Sequence, residues 1–228
     1  MTKLLKVLPI GRRSFFSRPA SEQTLIISCL FSIFLLALRI LFTGSLFHGF
    51  LAWNLFLAYI PFAISRKLKH SEARPGKVRF TILFCCWLLF VPNSFYIVTD
   101  LFHLEQGSAA PHWFDLALIF SFAWNGLLLG ALSVRMMEEM IADQLSPRLR
   151  ELFVYIVMWL SALGIYIGRY LRFNSWDVVV NPLQLAGDIL YLCFHPFRNS
   201  AEWAMIFCFF ILMTLIYKSI VSISAGKK

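Results

Sequence analysis

Charged residues are scarce in this chain: Asp, Glu, Lys and Arg make up 14% of its 228 residues, whereas soluble domains carry about 25%. Hydrophobic residues make up 59%, and 24 residues are Phe. A soluble chain of this length has too small a core to bury so much apolar surface. The scarcity of charge therefore excludes a soluble globular protein and predicts a single integral membrane domain.

The chain also lacks the cysteine spacings that are typical of disulfide frameworks and metal sites. Four of its five cysteines lie inside apolar runs, where a thiol behaves as a small hydrophobic group; they are Cys29, Cys85, Cys86 and Cys208. There is no P-loop, no dinucleotide-binding fingerprint and no Gly-x-Ser-x-Gly elbow. These absences argue against nucleotide-driven chemistry and against a serine hydrolase of that type.

Acidic residues are few as well: 12 stand against 21 Lys and Arg, which leaves a net charge of +9. The basic residues fall between the apolar runs, so membrane topology explains the excess and no nucleic-acid partner is expected. The partner that the composition predicts is the lipid bilayer.

Six apolar runs are long enough to cross a hydrocarbon core of about 30 Å at about 1.5 Å per residue. The predicted fold is an all-α, polytopic transmembrane helical bundle of about six spans, with one interfacial or re-entrant helix on the outer face. We expect the spans at residues 24–42, 48–64, 80–98, 114–134, 152–170 and 201–216, and the additional helix at about 182–195. A basic segment, 1–23, precedes the single membrane domain, 24–217, and a tail, 218–228, follows it.

The basic residues also predict the orientation of the spans. The loop between spans two and three and its flanks contain six Lys or Arg residues, whereas none occurs between Pro92 and Phe114. The positive-inside rule places that loop and both termini in the cytoplasm and puts the end of span three on the outer face.

Small and charged residues inside the spans predict how the helices pack. Gly126 with Gly130, and Gly164 with Gly168, have the small-xxx-small spacing that lets helix backbones approach closely. Arg39 lies inside span one and has two open interpretations: its side chain snorkels to the interface, or it pairs with a carboxylate.

Polar residues gather at the ends of spans three and five and along the 182–195 helix. Asn181 and Pro182 predict the start of that helix, with Asn181 as its cap and Pro182 as its first residue. We expect Asp100 to pair with Arg169 or Arg172, and Asn93 to satisfy backbone groups that Pro92 leaves unpaired. The candidate catalytic residues are Asp100, His103 and Glu105, and the candidate ligand-binding residues are Asn93, Arg169, Arg172, Trp176, Asp177, Asp188 and His195.

Several functions are open for this outer-face cluster. In the favoured one, arginines bind an anionic lipid or envelope component, because a guanidinium matches phosphate and carboxylate groups. In a second, a divalent metal is the cofactor of a membrane hydrolase, with ligands Asp100, His103, His112 and Asp115. A small-solute transporter and a purely structural membrane protein are further alternatives, and enzymatic activity and oligomeric state are left open.

Two long motifs, VPNSFYIVTDLFHL at residues 91–104 and GRYLRFNSWDV at residues 168–178, resemble a bacterial integral membrane family known as domain of unknown function 1361. The resemblance implies a multi-pass protein of the bacterial cytoplasmic (inner) membrane. It implies no activity, because the family has no established one.

Overall fold

Helices account for nearly all of the computed structural model, which describes residues 20–71, 76–104, 110–142 and 144–225. Two 3₁₀ helices lie at Phe47–Gly49 and Ile97–His103. The described residues contain no β-strand, which confirms the all-α fold. In chain order the α-helices are α1 (Ala20–Thr43), α2 (Phe50–Lys69), α3 (Lys77–Tyr96), α4 (His112–Ile141), α5 (Pro147–Arg169), α6 (Asp177–Val180), α7 (Pro182–Phe194) and α8 (Ser200–Ala225).

Six helical segments are long and apolar enough to cross a membrane, which confirms the predicted multi-pass bundle. Each predicted span lies within one of them, except that the fifth prediction runs one residue too far, to Tyr170. The limits of the membrane domain at 24 and 217 stay a prediction, and most of the basic segment 1–23, the end of the tail and Glu105 lie outside the described residues. The six candidate spans are Glu22–Thr43, Phe47–Lys69, Lys77–His103, His112–Ile141, Pro147–Arg169 and Ser200–Ile223.

Helix α4 lies at the centre of the bundle and packs against α1, α2, α3, α5 and α8. Of its most apolar stretch, 67% is buried inside the protein, against 39% or less in each of the other five spans. A helix that is apolar all round is stable in such a position because neighbouring helices cover most of its surface; a stripe with Leu116, Phe120 and Trp124 stays exposed. The central α4 therefore links two hydrophobic cores, one built mainly with α1 and α2 and the other with α3, α5 and α8.

The predicted glycine pairs hold the end of α3 between α4 and α5. A Cβ atom on Gly126 would lie 2.7 Å from the Ser94 carbonyl oxygen, and one on Gly164 would lie 2.6 Å from Cβ of Pro92. A Cβ on Gly130 would lie 3.0 Å from Cζ of Phe95, and one on Gly168 would lie 3.2 Å from Cε2 of Tyr96, a less close contact. The small-xxx-small pairs thus do what their spacing predicts, because only a hydrogen atom fits at these helix contacts.

The short helix α7 corresponds to the predicted interfacial or re-entrant helix. Its 13 residues would extend only about 20 Å, too short for a hydrocarbon core of about 30 Å. Leu183 and the following Phe197 are 88% and 96% exposed, as expected for side chains that enter the lipid. Asn181 is the N-cap residue and Pro182 the first residue of the helix, as predicted, although the Asn181 side chain forms no capping hydrogen bond.

Candidate functional site

The two ends of the bundle hold their charges differently. At one end, which we name the Lys69 end, the ion pairs are partly exposed: Glu22–Arg66, Lys69–Glu139, Arg135–Glu139 and Glu151–Lys218. At the other, which we name the Asp100 end, charged and polar side chains converge, four of them buried and three half-buried. This group consists of Arg39, His48, Asn54, Asp100, His103, Asp115 and Arg169.

The most buried contact at the Asp100 end is an ion pair between Arg39 and Asp115, both 1% exposed. Arg39 Nε donates to Asp115 Oδ1 at 2.6 Å, and Nη2 donates to Oδ2 at 3.2 Å. Of the two open interpretations of Arg39, pairing with a carboxylate is therefore confirmed. Asp115, a candidate metal ligand in the sequence, has both carboxylate oxygens engaged by this guanidinium.

Asp100 is 1% exposed and lies on the 3₁₀ helix that continues α3. Its Oδ2 accepts a hydrogen bond of 2.8 Å from Asn54 Nδ2 on α2. Among the described residues no ion pair joins Asp100 to Arg169 or Arg172, so the predicted pairing is wrong. Arg169 still acts on Asp100 electrostatically. Arg172 lies beyond the end of α5, has a left-handed backbone with φ 60°, and is exposed.

His103 completes one turn of the same 3₁₀ helix, in which residues three apart lie above one another. Its Nε2 lies 3.0 Å from Arg169 Nη1, and the Arg169 guanidinium lies 5.2 Å from the centre of the Phe102 ring. The structure therefore brings Asp100, His103 and Arg169 together, as the polar spacing predicted, but Arg169 contacts the imidazole rather than the carboxylate.

His48 is a buried member of the group that the sequence interpretation missed. It is 0% exposed, and neither ring nitrogen has a hydrogen-bond partner among the described residues. Its ring lies 5.0 Å from that of Phe47 and 6.0 Å from that of Phe50, and it interacts electrostatically with Arg39, Asp115 and His103. The one signal in the sequence is a histidine at the start of an apolar span.

A cavity of about 630 Å³ opens beside Asp100, between α2, α3, α5 and the segment that leads into α6. Apolar side chains form most of its wall. Asn54 connects the cavity to Asp100, because it is a lining residue whose amide donates to that carboxylate. The polar residues of the lining are Trp53, Asn54, Asn93, Tyr96, Asn174 and Ser175, with Cys85 and Cys86 on the α3 side.

Asn93 ties α3 to the rim of this cavity. Its Nδ2 donates to the Phe90 carbonyl at 3.2 Å and to Ser175 Oγ at 2.9 Å. The carbonyl that Pro92 leaves without an amide donor is that of Leu88, four residues earlier. The prediction that Asn93 satisfies this group is therefore wrong, because Asn93 bonds the Phe90 carbonyl instead. Helix α3 continues through Pro92 to Tyr96, as membrane helices do when neighbours compensate for one missing hydrogen bond.

A family model matches residues 53–216, well over half of the chain, and its description is "Protein of unknown function (DUF1361)". The chain belongs to the DUF1361 family. This confirms the resemblance drawn from the two long motifs, both of which lie within the matched residues. Comparisons of this DUF1361 chain with curated proteins and with solved structures gave no match.

The other candidate residues of this DUF1361 protein lie around the Asp100 end without joining its buried group. Asp177 accepts a hydrogen bond of 2.6 Å from the Asn174 backbone amide, which fixes the turn beside the cavity. His195 stacks on Tyr191, with ring centres 4.5 Å apart. Trp176 and His112 are exposed, and Asp188 is half-buried.

The metal hypothesis concerns Asp100, His103, His112 and Asp115. The parts of this DUF1361 chain that the structure describes contain no group of three or more His, Cys, Asp or Glu side chains that could hold a metal ion. The hypothesis stays a prediction from the sequence, with no assembled ligand set in its support.

Proposed function

We propose that this protein binds an anionic lipid, or a lipid-linked envelope component, in the cavity at the Asp100 end. The cavity itself is the observation that carries the proposal. Its volume of about 630 Å³ falls within the range of about 300–1,000 Å³ that is typical of small-molecule sites. Such sites are mostly apolar and have a few polar groups that orient the ligand, which also describes this lining.

The shape of the cavity suits an amphiphile. Along α3 the lining extends from Cys85 to Tyr96, a distance of about 16 Å at about 1.5 Å per residue. The amide and hydroxyl groups of Asn93, Asn174 and Ser175 lie towards the Asp100 end. An acyl or isoprenoid chain would occupy the apolar length, and its headgroup would meet the polar end.

Arg172 supports a negative charge on that headgroup. It is exposed and immediately precedes Phe173, Asn174 and Ser175, which line the cavity. Guanidinium groups bind phosphate oxygens through paired donors, and the neighbouring Trp176 is of the aromatic type enriched at membrane interfaces.

The distribution of charge supports a location in the bacterial cytoplasmic membrane, with the Lys69 end and both termini on the cytoplasmic side. Of the 13 Lys and Arg residues that the structure describes, nine lie at the Lys69 end, which favours retention of that end on the cytoplasmic side. The proposed cavity would then open towards the outer leaflet.

The proposal covers binding rather than catalysis. Among the described residues that line the cavity there is no carboxylate, imidazole, lysine or arginine. A metal-dependent hydrolase or a small-solute transporter would need such groups along its reaction site or path, and no observation on this lining favours either.

Lipid retention by the purified protein tests the proposal. Native mass spectrometry after reconstitution with a mixture of phosphatidylglycerol and phosphatidylcholine should show retained phosphatidylglycerol. Retention should fall by at least about tenfold in Arg172→Ala, since a charge-assisted hydrogen bond contributes about 1.5–3 kcal/mol. The matched control, Arg198→Ala, removes an exposed charge near the same end but away from the cavity, and should behave as the wild type.

A second variant tests the cavity rather than the charge. Cys85→Trp should fill the apolar part and lower retention, whereas Cys208→Trp changes an exposed cysteine of α8 that is not part of the lining. If Arg172→Ala and Cys85→Trp both retain lipid as well as the wild type does, the proposal is wrong.

A further inference from the structure

Two amides in the cavity wall are held in one orientation by the protein. Asn54 Nδ2 donates to the Asp100 carboxylate, and Asn93 Nδ2 donates to the Phe90 carbonyl and to Ser175. A carboxylate and a backbone carbonyl accept hydrogen bonds and cannot donate them. The nitrogen of each amide must therefore face its protein partner, and neither amide can turn over without losing these contacts.

In this orientation the side-chain oxygens of Asn54 and Asn93 are left to accept hydrogen bonds from a ligand in the cavity. Among the described residues, none donates a hydrogen bond to Oδ1 of Asn54 or of Asn93. Both residues line the cavity and their nitrogens are engaged by the protein, so the two oxygens are the amide atoms left for a ligand in its polar part. A phosphate oxygen there would leave both acceptors unsatisfied and would be disfavoured.

The same lining also offers donors. The indole N–H of Trp53 can only donate, and the hydroxyl groups of Tyr96 and Ser175 can donate or accept. A ligand group that both donates and accepts matches this mixture better than a pure acceptor such as phosphate. A hydroxyl group has that property.

We propose that the cavity selects a lipid whose headgroup carries hydroxyl groups, as glycerol and sugar headgroups do, with the hydroxyls at Asn54 and Asn93 and the phosphate at Arg172. This assignment rests on the proposed function and specifies the class of ligand. Asn54 and Asn93 are then the residues that determine headgroup specificity.

Two lipids of equal charge test the assignment. Phosphatidylglycerol and phosphatidylethanol each carry one phosphate charge, but only the first has free hydroxyls. In competition for the wild-type protein, followed by native mass spectrometry, phosphatidylglycerol should be preferred about threefold to tenfold, the effect of one or two neutral hydrogen bonds. Equal retention of the two lipids would overturn the assignment without requiring any variant.

Single-residue variants then test whether Asn93 causes the preference for phosphatidylglycerol. Asn93→Leu should bring the ratio close to one while phosphatidylethanol is still retained, and Gln184→Leu, an exposed amide of α7 outside the lining, should keep the wild-type ratio. An unchanged ratio in a folded Asn93→Leu protein would contradict the role of Asn93. If both lipids bind equally and both depend on Arg172, the hydroxyl assignment fails and the proposed function stands; if neither is retained, both fail.

Discussion

Buried charge is concentrated in a few residues at one end of this protein. Arg39, Asp115 and Asp100 are each 1% exposed, and a charged side chain removed from water is costly unless another group compensates for it. Arg39 and Asp115 compensate for each other. For Asp100, the amide of Asn54 donates a hydrogen bond and the guanidinium of Arg169 supplies opposite charge nearby.

The ion pair between Arg39 and Asp115 predicts a large loss of stability when one partner is removed. Asp115→Ala leaves the Arg39 charge without its carboxylate and should lower the free energy of unfolding by about 3–5 kcal/mol. Denaturant unfolding in detergent measures this change. The double variant Arg39→Met/Asp115→Leu should recover most of the loss, since an apolar pair of similar size needs no compensation. An Asp115→Ala protein as stable as the wild type would rule out the pair.

Close packing against glycine organises the helices around α3. The segment from Pro92 to Ile97 meets Gly126 and Gly130 of α4 on one side and Gly164 and Gly168 of α5 on the other. It is also the segment that supplies Asn93 and Tyr96 to the cavity and leads directly into the 3₁₀ helix with Asp100 and His103. The glycine contacts therefore position both the cavity and the buried polar group.

One methyl group at such a contact should be enough to disturb the packing. A Cβ on Gly126 would lie 2.7 Å from the backbone oxygen of Ser94, which cannot rotate away as a side chain can. Gly126→Ala should therefore lower the free energy of unfolding by about 1–3 kcal/mol, the usual effect of overpacking. Thermal unfolding in detergent would show it.

The matched control for this change is Gly187→Ala in α7, where nothing lies within 4 Å of the added Cβ. Alanine is favoured over glycine within a helix by about 0.5–1 kcal/mol, so this variant should be as stable as the wild type or slightly more so. Equal effects of the two substitutions would show that the close contact at Gly126 does not form.

Across the whole molecule, the two ends differ in the kind of charged and polar side chains that they carry. The Lys69 end holds basic side chains in partly exposed ion pairs, whereas the Asp100 end holds a buried polar group and the cavity. This asymmetry predicts which end faces the cytoplasm, because Lys and Arg are retained on that side during insertion.

A reporter fused after Gln106 tests this orientation. It should be active as an extracytoplasmic reporter, such as a phosphatase, while the same reporter fused after Leu145, in the loop between α4 and α5, should be inactive. A cytoplasmic result after Gln106 would reverse the assignment of the two ends and place the cavity in the inner leaflet.

The sequence was sufficient to identify polar residues of the candidate site, but not to identify the residues that they contact. Asp100, His103 and Arg169 were all candidates, and they do lie together. The sequence predicted an arginine as the partner of Asp100, but in the structure Asp100 accepts a hydrogen bond from Asn54, 46 positions away. Nothing in the sequence apart from its polarity marked Asn54 as a partner. His48 was missed because a single histidine in an apolar span is indistinguishable from an ordinary core residue.

The sequence by itself determined the number of spans, the helix α7, the spacing of the glycine pairs and the asymmetry of charge. Hydropathy, small-residue spacing and basic loops are local properties, and each segment inserts into the bilayer and is oriented according to its own residues. Only the tertiary structure decided that Asp115 pairs with Arg39, 76 residues away, and that a cavity forms beside Asn54 and Asn93. Such pairings depend on the rotation and crossing of each helix relative to the others, which the sequence of one helix does not contain.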